Sequence, residues 1–156
     1  MELLQRRTGM ELLHVPYKGS APAIIALTGG EVQIGLLSVA AAMPMIKAQR
    51  LTVLAVASAK RVGALPEVPT VAESGVPGFD ATNILGIIAP AGTPAAVVKR
   101  LNAEIRNIVQ MDDVATKFAA QGLEPAGSTP DEWRAIMEAE IALWGRVIKD
   151  ASITAN

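Results

Sequence analysis

Two short segments carry the polar groups with which this chain could hold a small anion. The first is Lys18-Gly19-Ser20-Ala21-Pro22, between the apolar run Leu12-Leu13-His14-Val15-Pro16-Tyr17 and the apolar stretch 23–28. A strand, a loop of small residues and a helix start follow one another there. Amides of a first helical turn have no partner within the helix, and the helix dipole adds positive potential at the same point. Gly19 permits close backbone approach, Ser20 adds a hydroxyl, and Lys18 adds a charge. An ordinary strand-to-helix turn in which Ser20 caps the helix accounts for the same residues. The second segment, Leu36-Leu37-Ser38-Val39-Ala40, repeats the arrangement, with Leu37 and Ser38 at the turn. Here too simple N-capping by Ser38 is the alternative. Successive strand-to-helix turns of a parallel sheet lie side by side at its carboxyl edge, where open α/β sheets bind ligands. Neither segment has the G-x-x-x-x-G-K-[ST] order of a nucleotide P-loop or the G-x-G-x-x-G order of a dinucleotide turn.

Little else in the sequence suggests turnover. His14 is the only histidine and sits in an apolar run, which predicts a structural role and gives no metal cluster. Cys 0 excludes disulfides, thiolate zinc sites and a thiol nucleophile. No base stands near Ser20 or Ser38 in sequence to activate either as a nucleophile. The carboxylates of the C-terminal half fall at helix starts and on helix surfaces. Trp133 and Trp144 share one helical stripe, a pattern of core or interface. No catalytic residue, metal or cofactor is assigned. That inventory favours binding.

Charge and hydropathy narrow the class further. The chain has 156 residues with 14 basic and 15 acidic side chains, which leaves no electrostatic case for nucleic acid as a partner. Its mean hydropathy of +0.35 is high. The uncharged stretch 81–98 is broken by Pro90, Gly92 and Pro94, and the stretch 32–46 is shorter than the ~20 residues a spanning helix needs. Apolar content in short Ala, Val, Ile and Leu runs fits buried parallel strands with covering helices. The first seven residues have no apolar signal region and read as the last turns of a helix ended by Gly9. Up to Arg61 there are seven basic and three acidic residues, and beyond it seven and twelve.

The elements that must position the two segments alternate. Strands are predicted at 12–17, 32–37, 51–57 and 83–89. Helices are predicted from Pro22 to Thr28, from Val39 to about Gln49, from Pro94 to Gln110 behind a Thr93 cap, and from Asp112 to a stop at Gly122. A last amphipathic helix opens at the capping box Thr129-Pro130-Asp131-Glu132. Between the third and fourth strands, Pro66, Pro69 and Pro77 limit structure to short turns. Thr70-Val71-Ala72-Glu73 forms a second capping box there.

Several of these strings, in order along the chain, resemble one family. They are His14-Val15-Pro16-Tyr17-Lys18-Gly19-Ser20-Ala21-Pro22-Ala23, Gly30-Glu31-Val32-Gln33, Leu54-Ala55-Val56 and Ser58-Ala59-Lys60-Arg61. Leu65 to Glu73, Ala89-Pro90-Ala91-Gly92-Thr93-Pro94, Leu101 to Ile105, and the helix through Glu132 to Trp144 continue the series. The family is that of the substrate-binding proteins of tripartite tricarboxylate transporters, also called Bug periplasmic receptors. The resemblance implies a type II periplasmic-binding-protein fold, α/β with a mainly parallel sheet flanked by helices, in two lobes that close on a small organic carboxylate. It further implies delivery of that solute (a di- or tricarboxylate, an amino acid or an aromatic acid) to membrane transporter subunits, without catalysis. Carried onto this sequence, Gly19, Ser20, Ala21 and Pro22 match the anion loop, beside Lys18, and Leu37 and Ser38 match the neighbouring ligand-side loop.

The match falls on the C-terminal portion of such a receptor, so the N-terminal half is expected to be missing. Residues 1–80 then supply most of the second lobe, 81–93 the crossover strand, and 94–156 the helical part of the first lobe. Leu37 stands where the family often has an acidic residue, Ala40 where it has proline, and Ile84 near a usual aromatic position. Competing readings are the ligand-sensing effector domain of a regulator, a small hydrolase using Ser20 or Ser38, and a truncated remnant that pairs as a homodimer.

Overall fold

The structure is a computed structural model and describes residues 1–151. Six helices occur among them: α1 (Glu2–Thr8), α2 (Ser20–Gly29), α3 (Val39–Lys47), α4 (Ala95–Val109), α5 (Asp112–Ala119) and α6 (Pro130–Asp150). None of them is long and apolar enough to cross a membrane.

Helix ends follow the local chemistry of the sequence. The α1 helix stops at Gly9, whose left-handed φ of 72° lets its N–H reach back to the Gln5 carbonyl. Thr129 and Glu132 form a complete capping box at α6: the Glu132 N–H donates to Thr129 Oγ1, and the Thr129 N–H donates to the Glu132 carboxylate at 2.8 Å. The second helix starts two residues earlier than expected, at Ser20, which makes Pro22 its third residue. A first-turn proline has no intrahelical bond to lose, so the helix passes through it. Thr93 does not cap α4. Its hydroxyl donates to the Pro90 carbonyl, and Pro94 takes the N-cap position.

The strand expectation needs correction. Among the described residues the one β pairing is a parallel bridge between Val56 and Thr70. Residues 12–17, 32–37 and 83–89 form no ladder, because a strand exists only through hydrogen bonds to a neighbour, and no neighbouring strand accompanies them. Their side chains show the same lack of cover: Leu13 is 92% exposed, Leu85 71% and Ile88 82%.

The chain falls into two compact units. One comprises residues 1–10, 87–114 and the chain from Pro125 onward; the other comprises 11–86 and 115–124. In the first, the Asn102 side-chain amide donates to the Ser128 carbonyl at 2.9 Å, tying α4 to the approach to α6. Val147 is its buried apolar residue, and Trp144 Nε1 donates to Glu140 one turn earlier. In the second unit α2 packs on α3. Its buried residues are Ala26, Ala42, Met43, Val56, Phe79 and Thr70. The proline-rich passage is held by one knot. Glu73 accepts from the Thr70 amide at 2.7 Å and from Arg61 Nε at 3.0 Å, while the Glu73 N–H donates to Thr70 Oγ1. Arg61 also donates to the Pro66 carbonyl.

Candidate functional site

The geometry at the first anion segment differs from that at the second. Gly19, not Ser20, is the N-cap of α2, with φ 101° and ψ 178°, a conformation open to glycine and strained for other residues. A glycine cap supplies no side-chain acceptor, so none caps the first turn. The amides of Ser20 and Ala21 stand at the helix start with the positive end of the dipole behind them. Pro22 contributes no N–H. The Gly19 N–H is already used, donating to the Tyr17 carbonyl at 2.9 Å. Lys18, Gly19, Ala21 and Pro22 are exposed and Ser20 is half-buried. The plain capping role foreseen for Ser20 is therefore not the one it has. It is the first helical residue, with its amide and hydroxyl both at the helix mouth.

Ser38 is a true cap. Its Oγ accepts from the Ala41 N–H at 3.3 Å, leaving the amides of Val39 and Ala40 at the start of α3. Leu37 is half-buried. A Cβ added at Gly35 would lie 3.3 Å from Leu27 Cδ2 and 3.7 Å from Leu37 Cγ, so the bare glycine lets the segment before Ser38 run close over α2. The two segments thus belong to one unit and to two helices in contact. Among the described residues, no hydrogen bond joins them directly.

One contributor was not legible as such. Gly122 reads in sequence as a mere helix stop. In the structure an added Cβ there would meet Val39 Cγ1 at 2.5 Å, with φ at +70°. The turn after α5 therefore lies against the first residue of α3, directly behind Ser38. Its sequence signal is a glycine, which does not distinguish a stop from a close approach.

His14 is exposed rather than part of an apolar core, since the strand meant to bury it is not formed. Among the described residues no group of three or more His, Cys, Asp and Glu side chains could hold a metal ion. The ionisable groups that are displaced from their ordinary behaviour lie elsewhere. The Thr70 amide, with Arg61 second, holds Glu73 below the usual glutamate range, and the Thr129 amide does the same for Glu132. Both carboxylates serve caps.

Residues 1–153 match the tripartite tricarboxylate transporter family receptor. The chain is 41% identical over 155 residues to a protein of the tcbD-tcbE intergenic region of Pseudomonas sp. (strain P51), covering 99% of this chain and 46% of that one. Among solved structures, Rpa4515 of R. palustris with adipate is 38% identical with a TM-score of 0.89, over 98% of this chain and 51% of that one. MatC of Rhodopseudomonas palustris with bound malate is 31% identical with a TM-score of 0.80, over 94% and 51%. The chain thus spans about half the length of each of these three proteins. Its fold is that of half a periplasmic binding protein, and the chain belongs to the tripartite tricarboxylate transporter receptor family.

Proposed function

We propose that this chain is the carboxylate-binding part of a periplasmic solute receptor that hands its ligand to a tripartite tricarboxylate-type membrane transporter and catalyses no reaction. One observation carries the reading: α2 begins at Ser20 behind a Gly19 cap that has no side-chain acceptor, with the Ser20 and Ala21 amides, the Ser20 hydroxyl and the neighbouring Lys18 at its mouth. Gly19, Pro22, Leu37 and Ser38 complete the proposed site. Gly19 and Pro22 shape the loop, and the start of α3 offers two further amides. Adipate and malate in two related structures indicate the ligand class, a small dicarboxylate.

In this reading residues 1–80 supply most of one lobe, 81–93 cross between lobes, and 94–156 belong mainly to the other, with 1–10 and 115–124 as exceptions that each group with the opposite unit. The parallel sense of the Val56–Thr70 bridge supports a parallel sheet. A helix start contributes on the order of 1 kcal/mol to an anion, up to ~2 when partly buried. A micromolar site needs about 8 kcal/mol. The second lobe must supply the balance.

Calorimetric titration with adipate and malate tests the proposal on two forms, the chain alone and the chain joined to the other half of the adipate-bound relative. The joined form is expected to bind a dicarboxylate, and the chain alone to bind at least tenfold more weakly. A joined form that folds but binds no organic anion refutes the proposal.

A further inference from the structure

A glycine outside both ligand segments bears on where one of them stands. The turn after α5 is closed on two carbonyls: the Gly122 N–H donates to Ala119 at 2.9 Å and the Leu123 N–H to Phe118 at 3.0 Å. A left-handed residue makes this double C-cap possible, and Gly122 supplies it with φ +70°. That conformation alone accounts for a glycine. A second constraint is independent of it. A Cβ at Gly122 would lie 2.5 Å from Val39 Cγ1 and 2.9 Å from Val39 Cβ, with Ala64 Cβ next at 3.8 Å. Gly75, in the same compact unit and at φ +110°, has nothing within 4 Å. Backbone strain and close approach are therefore separable at two glycines of one unit.

Val39 is the first residue of α3, half-buried, behind the Ser38 cap. Its side chain meets Gly122, and its N–H is one of the two amides standing at the start of α3. Rotation about χ1 would carry Cγ1 away from an added methyl, but Cβ moves only with the backbone. Reaching an ordinary contact of 3.4 Å from 2.9 Å takes a backbone shift of about 0.5 Å. That matches the ~0.5 Å within which binding groups must be held. The two sides are not equally free to give way. The 118–123 turn has its two cap bonds. The loop that carries Ala64 is closed by Arg61, which donates to the Pro66 carbonyl at 3.2 Å, and by the Leu65 N–H on the Val62 carbonyl. The approach to α3, residues 32–37, makes no backbone hydrogen bond with other described residues. An overlap at 122 is therefore relieved by movement of the α3 start.

We propose that Gly122 is a positioning residue for ligand binding: by admitting Val39 with no Cβ between them, it sets the Val39 and Ala40 amides where a carboxylate meets them. The inference rests on the carboxylate site proposed above. It adds a residue from the α5 turn that touches no ligand and acts through Val39.

Adipate affinity is measured by calorimetry on the joined receptor and its variants, and amide resonances of the ligand-free chain are read by NMR. Gly122→Ala is expected to weaken adipate about fivefold, part of the roughly tenfold or more that a lost charged hydrogen bond costs. It should also move the Val39 and Ala40 resonances. Gly75→Ala bears backbone strain without the contact, and affinity should change less than about twofold. Val39→Gly keeps both amides, opens the contact from the other side, and is expected to weaken adipate about threefold. In that background Gly122→Ala should cause no further loss, since its methyl occupies the vacated space. A purely structural glycine would lose the same affinity in both backgrounds, and that result overturns the proposal. Equal effects of Gly122→Ala and Gly75→Ala overturn it too. Should Gly122→Ala fail to fold, Val39→Gly decides alone, and unchanged affinity refutes positioning. A joined receptor that folds but binds neither adipate nor malate refutes the carboxylate site instead. The ligand-free resonances then report on Gly122 separately, and unmoved Val39 and Ala40 amides in Gly122→Ala refute its hold on α3.

Discussion

Ser20 offers a clean handle on the proposed site, because it occupies the first position of α2. Proline is favoured at that position, where its missing N–H breaks no intrahelical bond. Ser20→Pro therefore deletes one amide and the hydroxyl while keeping the helix. A hydrogen bond to a charged group contributes about 1.5–3 kcal/mol, so carboxylate affinity of the joined receptor should fall at least about tenfold. Ser20→Ala removes the hydroxyl and keeps the amide, and should fall less. Unchanged affinity in titrations of Ser20→Pro would remove Ser20 from the site. Gly122 is a residue-scale case of a different kind. An alanine there meets Val39 at 2.5 Å in a left-handed backbone, whereas Gly92, at φ +84°, faces open space. Gly92→Ala should cost roughly 1–2 kcal/mol for the backbone alone. Gly122→Ala adds overpacking of about 1–3 kcal/mol. Urea denaturation of the two variants gives the difference, and equal losses would show that the approach to Val39 is slack.

The two capping boxes show how much of the elements was written in the sequence. Both were read from Thr, Glu and a spacing of three, and both form all the expected backbone bonds. They were legible because a cap is satisfied within four residues. The strands were not, because strand partners lie outside any local window and only Val56 and Thr70 pair among the described residues. The sequence places the α2 start at Pro22, two residues late, for a local reason: proline favours the opening position, yet the third position of the first turn tolerates it as well. Caps also set the expected acid response. Glu73 and Glu132 are held below the ordinary glutamate value of 4.5, chiefly by the Thr70 and Thr129 amides. A depressed carboxylate stabilises the fold above its unfolded value, and that contribution is lost as pH falls through the lower, folded value. Melting temperature should therefore drop below about pH 4.5, and the drop should be shallower in Glu73→Gln, where the group no longer titrates. An identical acid limb in the variant would show that the Thr70–Arg61 knot is not coupled to global unfolding. Thr129→Ala at pH 7 should cost about 1 kcal/mol.

At the scale of the whole molecule, the sequence's short apolar runs acquire a physical meaning that composition alone could not give. Dense apolar runs predicted a buried parallel sheet, yet in this chain the same residues supply much of the exposed apolar surface. The chain spans about half the length of the relatives it matches, so in them the matching pattern sits within a longer polypeptide. Cooperativity should report the difference. The denaturant slope scales with surface exposed on unfolding, and a chain whose large apolar residues already stand exposed when folded has less surface left to expose. The isolated chain should therefore unfold with a urea slope lower than that of a well-covered domain of 156 residues. In the fusion with the other receptor half, the slope should more than double, because the second half brings its own surface and also covers surface on the first. A slope that only adds the two halves would mean that the apolar residues exposed in this chain stay exposed in the longer one. Urea titration followed by circular dichroism separates these outcomes, and it does so without ligand, so the result bears on the completion of the fold independently of whether Ser20 holds a carboxylate.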